Sequence, residues 1–394
     1  MGIFYGRNTV IEINLDNFVY NFNQFRKHIP SDINIMASLK ANAYGHGVLP
    51  LAKQLISLGV KHLAVAFIDE GIELREGGIE NDVDILIFGY TPPEAVEEAI
   101  MYNLSITVYR PEDLHLIQET ARRLDRRALI HIKIDSGMSR LGLQLEELDL
   151  FFNTLLHMNF VKIEGIFTHF ACADEKDQSY TQMQQDIFKE ALNTAMKLGL
   201  EIPYIHSSNS AASIDINNTI GNMVRLGIGL YGLYPSKEVN HNVVNLRPIL
   251  TFKSRISHIK QGEKNRGVGY GATYKATGKE WIATIPVGYA DGLNRQLSNK
   301  GYALIKGKRV PIIGRICMDQ LMLDVTKVMP VQMNEEVVFY GSQEEETIHI
   351  DEIAKSLNTI NYEVTCMLSR RIPRLFRYKG KVTHVINELR RQTL

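Results

Sequence analysis

The chain has 394 residues, 45 % of them hydrophobic, and its 44 Lys plus Arg balance 44 Asp plus Glu. That composition is ordinary for a folded protein and excludes bulk disorder, while zero net charge excludes whole-chain attraction to nucleic acid or to an anionic membrane. No apolar run approaches the roughly 18 residues of a membrane span, and the length leaves room for two domains with substantial cores.

The first 240 residues alternate between short β-branched runs and polar, amphipathic stretches of helical length. The runs are Asn34–Leu39, Leu63–Phe67, Val83–Phe88, Leu104–Tyr109, Ala128–Ile134, Lys162–Phe167, Tyr204–Ser207 and Met223–Ile228. Between them, Leu51–Leu58, Pro111–Arg123 and Thr181–Leu198 read as helices, with Pro111 placed for a helix start. Repeated β-then-α units predict a parallel sheet, either closed into an eight-stranded (β/α)8 barrel or left open and doubly wound. Counting favours the barrel without excluding the open sheet. After about residue 243 the texture changes. Thr251–Lys260, Trp281–Val287, Arg309–Arg315, Leu321–Val325, Val337–Tyr340 and Lys381–Ile386 read as strands separated by glycine-containing turns. Helical periodicity survives only near Asp351–Leu357, so a mostly antiparallel β domain is expected. The three cysteines, Cys172, Cys317 and Cys366, stand far apart. They form neither a disulfide framework nor a paired metal clamp, and they fit a reducing cytoplasm.

The ends of the first eight runs carry the chemistry. Lys40 follows the first run, in Lys40-Ala-Asn-Ala-Tyr44-Gly-His-Gly47. A lysine at the carboxyl end of a barrel strand can lose its proton readily and condense with an aldehyde, although a lysine snorkelling from a strand end is the plainer reading. The fifth run leads into Lys133-Ile-Asp-Ser-Gly-Met-Ser-Arg140, the sixth ends Thr168-His169, the seventh ends His206-Ser-Ser-Asn209-Ser210, and the eighth contains Arg225 before Gly227-Ile228. Singly these are a core histidine, a surface ion pair or a helix cap. In a barrel they converge on one mouth and make an anion-binding site. Two glycine patterns are decoys. Gly227-Ile-Gly-Leu-Tyr-Gly232 matches a dinucleotide fingerprint but closes the βα series with no clear helix after it. Gly271 and Gly278 enclose six residues, and Glu280 stands where a phosphate loop needs Ser or Thr. In the β region, Tyr270 and Tyr274 lie among glycines, and Gly288-Tyr289-Ala-Asp291 and Cys317-Met318-Asp319 are polar, glycine-flanked segments.

These motifs together resemble the bacterial alanine racemase family. The likeness rests on Lys40-Ala-Asn-Ala-Tyr44-Gly-His-Gly, Gly137-Met-Ser-Arg140-Leu-Gly, Thr168-His169-Phe, Ser208-Asn209-Ser210, Arg225-Leu-Gly227-Ile228-Gly-Leu-Tyr-Gly, Gly269-Tyr270-Gly and Cys317-Met318-Asp319, and it runs essentially end to end. It implies a barrel over 13–242 that carries pyridoxal 5′-phosphate. It also implies a β domain over 243–394 joined by an N-terminal strand within 1–12, at about 5–12, and a cytoplasmic head-to-tail homodimer. By resemblance, Lys40 would hold the cofactor covalently. Tyr44, Ser210, Ile228 and Tyr362 would contact its phosphate, with Asn209 and Gly227 counted beside them. Arg225 would face the pyridine nitrogen, and His169 would lie near the ring. Arg140 and the Met318 backbone would hold the substrate carboxylate, Tyr270 and Met318 would come from the partner subunit, and Tyr289 and Tyr362 would narrow the entrance. Lys133 matches a lysine often carbamylated in the family to pair with Arg140. Ser139 departs from the pattern, since glycine is common there.

The implied reaction inverts Cα of alanine, supplying D-alanine for peptidoglycan, and it needs a proton carrier on each face. Free lysine and tyrosine titrate near about 10.4 and 10, so a desolvated site beside cations would have to ease their proton loss. Lys40 would exchange the proton of D-alanine and Tyr270 that of L-alanine. A barrel-type amino-acid decarboxylase would place an acid where Arg225 stands. A serine or broad racemase would need a larger side-chain pocket than Tyr362, Tyr289 and Met318 suggest. A regulatory pyridoxal-phosphate module would lack the β domain.

Overall fold

A computed structural model describes residues 6–215 and 220–390 and the backbone of 392–393. The chain divides into two units. One comprises residues 18–43 and 48–247; the other comprises residues 1–17, 44–47 and 248–394, of which residues 1–5 lie outside the described set.

β1 (Val10–Asn14) belongs to the second unit. The first unit is the barrel: β2 (Asn34–Ser38), β3 (His62–Val65), β4 (Asp84–Ile87), β5 (Ser105–Val108), β6 (Ala128–Lys133), β7 (Val161–Phe167), β8 (Tyr204–His206) and β9 (Met223–Leu226). Each of β2 to β7 pairs in parallel with the next in chain order, and a further parallel ladder links β9 back to β2. Between β8 and β9 no ladder forms. Asn222 N–H to Ile205 O (3.0 Å) and Arg225 N–H to Ser208 O (2.9 Å) bridge them instead. The closed barrel therefore replaces the open sheet. Strands such as His62–Val65 and Ser105–Val108 are buried at every position because parallel strands are covered on both faces. The Pro111–Arg123 helix agrees with the sequence reading to the residue. Pro111 opens it, Glu112 and Asp113 sit in its first turn, Arg122 and Arg123 sit in its last, and Leu114, Ile117 and Ala121 face inward.

The second unit is built on a mostly antiparallel 12-stranded sheet. β1 pairs antiparallel with Leu250–Arg255 and parallel with Arg374–Tyr378. Among the described residues the N-terminal strand begins at Val10, and residue 5, where it was expected to start, lies outside them. The expected strand Thr251–Lys260 is two strands, because the chain changes partners at Ile256 and Ser257. Leu250–Arg255 pairs with Glu336–Gln343, whereas His258–Gln261 pairs with Trp281–Ile285. Among the described residues no helix is long and apolar enough to cross a membrane.

Candidate functional site at the barrel mouth

The carboxyl ends of the barrel strands carry the polar residues singled out above. Lys40, half-buried, follows β2; Lys133 ends β6; His169 follows β7; His206 ends β8; Arg225 lies in β9. After Lys40 the backbone does something no sequence pattern announces. Ala41, Asn42, Ala43 and Tyr44 all have φ of 54°, a left-handed turn made without glycine. Each such residue costs roughly 1–2 kcal/mol, so the turn persists only where its surroundings fix it.

Arg225 is 4 % exposed. Its Nη1 donates to His206 O (2.8 Å) and His206 Nδ1 (3.0 Å), and its Nη2 donates to Thr168 O (2.8 Å), Ser207 O (2.9 Å) and His169 Nδ1 (3.3 Å). Burial pulls its pKa down to about 9, which still leaves it charged at neutral pH. Because guanidinium only donates, His206 Nδ1 must be an acceptor. His206 then carries its proton on Nε2 and gives it to His131 Nδ1, 3.0 Å away. Both imidazoles are neutral. Burial drives His131 to about 3 and His206 well below its ordinary value. His131 escaped the sequence reading, although its spacing of two from Lys133 put both on the inner face of β6.

His169 is held well below its ordinary pKa, first by burial and then by Arg225, Lys133, Arg140 and Lys40. Four basic side chains therefore converge on one imidazole. Lys133, 5 % exposed, donates to Ile134 O (2.8 Å). Burial, then Arg225 and, least, Arg140 lower its pKa to about 7, against an opposing pull from Asp135 that exceeds Arg140's. The loop that carries Arg140 is closed by Asp135 N–H to Leu143 O (3.0 Å) and Leu143 N–H to Lys133 O (2.9 Å), and Asp135 Oδ1 accepts the Gly137 and Ser139 amides (3.0 Å each). Ser139 has φ of 53°, which explains why glycine suits this position. Ser139→Gly should raise stability by up to about 1 kcal/mol, measured as a higher urea midpoint at unchanged slope.

The donor set suits an anionic, aromatic-nitrogen ligand. Among the described residues, every side-chain hydrogen bond of Arg225 leaves from Nη1 or Nη2, so its Nε–H is left for an acceptor. Among the described residues burial is the cause of its lowered pKa, and no carboxylate offsets it. Ser210 Oγ accepts the Gly227 amide (2.8 Å) and keeps its hydroxyl proton to donate, and the buried Ser208 Oγ has no partner among the described residues. Asn209 uses its side-chain oxygen to cap its own helix at Ala212 N–H (3.0 Å).

On the second unit, the Tyr44 and Tyr362 rings lie 6.1 Å apart. Tyr270 is 70 % exposed and Met318 53 %, and both border a cavity of about 590 Å³. Gly269 and Gly271, with φ of 69° and 71°, allow the loop to present Tyr270. The Tyr289 and Met318 segments are joined by Tyr289 N–H to Cys317 O (3.0 Å) and Ala290 N–H to Met318 O (3.1 Å). Arg371, also missed in the sequence, bonds Asp291 and Asp319 (2.8 Å each) across them.

A (β/α)8 barrel with a lysine-bearing, cation-rich mouth, continued by an antiparallel β unit, defines a class of barrel enzymes whose mouth suits small molecules carrying an anionic group. The alanine racemase N-terminal domain model matches residues 13–235 and the alanine racemase C-terminal domain model matches 249–376. The alanine racemase of Halothermothrix orenii is 45 % identical over 95 % of this chain and 98 % of its own. A solved alanine racemase from Clostridium difficile 630 is 42 % identical, covers 99 % of this chain and 100 % of its own, and superposes with a TM-score of 0.93. Another, from Bacillus anthracis with bound L-Ala-P, is 39 % identical, covers 99 % of this chain and 100 % of its own, and has a TM-score of 0.92. The chain belongs to the alanine racemase family and is an isomerase with that activity.

Proposed function

We propose that this racemase works with pyridoxal 5′-phosphate bound through Lys40, and that Lys40 and Tyr270 are its two proton carriers. The observation that carries this reading is the cation-rich barrel mouth, where Lys40, Lys133, Arg140 and Arg225 act on His169 and, among the described residues, no carboxylate acts on Arg225. Tyr44, Asn209, Ser210, Gly227, Ile228 and Tyr362 would hold the phosphate end, with His169 beside the ring. Arg225 Nε–H is the donor left for the pyridine nitrogen. When bound, the cofactor supplies an electron sink that lets the Cα–H bond ionise. Arg140 and the Met318 amide hold the alanine carboxylate and so fix Cα between the Lys40 amine and the Tyr270 hydroxyl. One takes the proton from its face while the other delivers a proton to the opposite face. The small-molecule complex of the Bacillus anthracis relative agrees with an alanine-sized site.

A cytoplasmic homodimer follows from the same reading. Tyr270, Met318 and Tyr289 are exposed together, as residues lent to another copy would be. The domain limits of 13–242 for the barrel and 243–394 with 1–12 for the β domain, and the supply of D-alanine to peptidoglycan, belong to this reading too. In deuterated water both L- and D-alanine should gain deuterium at Cα without releasing carbon dioxide, and borohydride should fix the cofactor on the Lys40 peptide. Carbon dioxide release, or a label on another residue, overturns the reading.

A further inference from the structure

The left-handed turn that follows Lys40 needs outside support, and the structure shows where that support comes from. Within the turn, Ala43 N–H bonds Leu39 O (2.8 Å), and Asn42 Oδ1 accepts the Val48 amide (2.8 Å). The first amide of the turn, Ala41 N–H, is bonded by Glu70 Oε1 at 2.5 Å. The other oxygen, Oε2, takes Ala66 N–H at 2.7 Å. Glu70 is the third residue of the helix Ile68–Glu76, where a glutamate ordinarily serves amides at its own helix start. Here one oxygen does so while the other reaches back to residue 41. One carboxylate thus ties the chain after β3 to the chain after β2, beside Lys40.

We propose that Glu70 is a positioning residue for Lys40: it fixes the first peptide of the left-handed turn and thereby the direction from which the lysine amine enters the site. This rests on the reading of Lys40 as the cofactor lysine and proton carrier. The task requires a carboxylate. Two amides donate to two oxygens, whereas glutamine offers one acceptor oxygen and turns an NH₂ group toward the other amide. Aspartate keeps both acceptors but is one methylene shorter and does not span both amides.

The test compares wild-type holoenzyme with Glu70→Gln and Glu70→Asp by hydrogen–deuterium exchange of the peptides covering residues 39–44 and 66–76, together with alanine kinetics and borohydride labelling. Both variants should exchange roughly tenfold or more faster over 39–44. They should lose kcat with little change in KM, because Arg140 and Met318 are untouched. Unchanged exchange over 39–44, even with 66–76 loosened, reduces Glu70 to a helix cap and overturns the proposal. A kcat equal to wild type despite faster exchange overturns it as well. The label reports separately. Borohydride fixation at any residue other than Lys40 sinks the Lys40 reading, whatever the exchange data show for the turn.

Discussion

Tyr270→Phe should lower kcat for alanine in both directions by roughly 10²–10⁴-fold, the range of a lost general acid–base group. The side chain stands on a glycine-flanked loop and is 70 % exposed, so removing one hydroxyl should shift stability by less than about 0.5 kcal/mol. A large kinetic loss in a protein of unchanged stability would isolate the proton carrier. Circular dichroism of the alanine product, started separately from each enantiomer, measures it; wild-type rates in both directions exclude Tyr270 as a base. The same residue tests the shared site. Lys40→Ala and Tyr270→Ala proteins should each be inactive, and an equal mixture allowed to exchange subunits should recover up to roughly a quarter of wild-type activity. Half of the dimers are then hybrid, and each hybrid has one intact site. Silence after demonstrated exchange would place both residues of a site in one chain.

The eight barrel strands were legible because β-branched runs bounded by polar stretches leave few alternatives, and the site followed from where those runs end. What escaped notice depends on contacts distant in sequence. Arg374–Tyr378 did not read as a strand because it carries two arginines. Arg374 is nevertheless 1 % exposed, its guanidinium bonding the carbonyls of Gly45, Leu368, Ser369 and Ile372. Such satisfaction by backbone carbonyls leaves no trace in a hydropathy pattern. The turn at Ala41–Tyr44 was hidden for a related reason. Alanine favours right-handed helix, and the left-handed choice is supported by a partner, Glu70, that lies outside any local window. The Lys40 motif was therefore readable as a resemblance, but its geometry was not.

Lys133 should make this protein's stability and its substrate affinity respond to pH and carbon dioxide together. Its amine is lowered from 10.5 to about 7 by burial and by Arg225 and Arg140. Below about pH 7 both folded and unfolded chains hold the proton, and the folded state bears the full cost of a buried charge. Between about 7 and 10.5 the folded amine is neutral while the unfolded one is still protonated, so stability rises with pH across that window. In carbon dioxide-free buffer, Lys133→Met should be more stable than wild type at pH 6.5, by an amount on the order of a few kcal/mol, and the advantage should shrink by pH 9. Parallel unfolding curves at the two pH values would show that Lys133 does not titrate in the fold. The neutral amine can also attack carbon dioxide, forming an N–C bond and losing a proton to leave a carbamate anion. Arg140, whose charge already acts on this amine, would gain a partner that steadies it for the alanine carboxylate. Bicarbonate should therefore lower the alanine KM of wild type several-fold, more at pH 8 than at pH 6, and add the mass of one carbon dioxide to the Lys133 peptide. Lys133→Met should show a raised KM that bicarbonate does not change. If bicarbonate lowers KM equally in both proteins, the effect lies elsewhere and Lys133 is a buried amine that only costs stability.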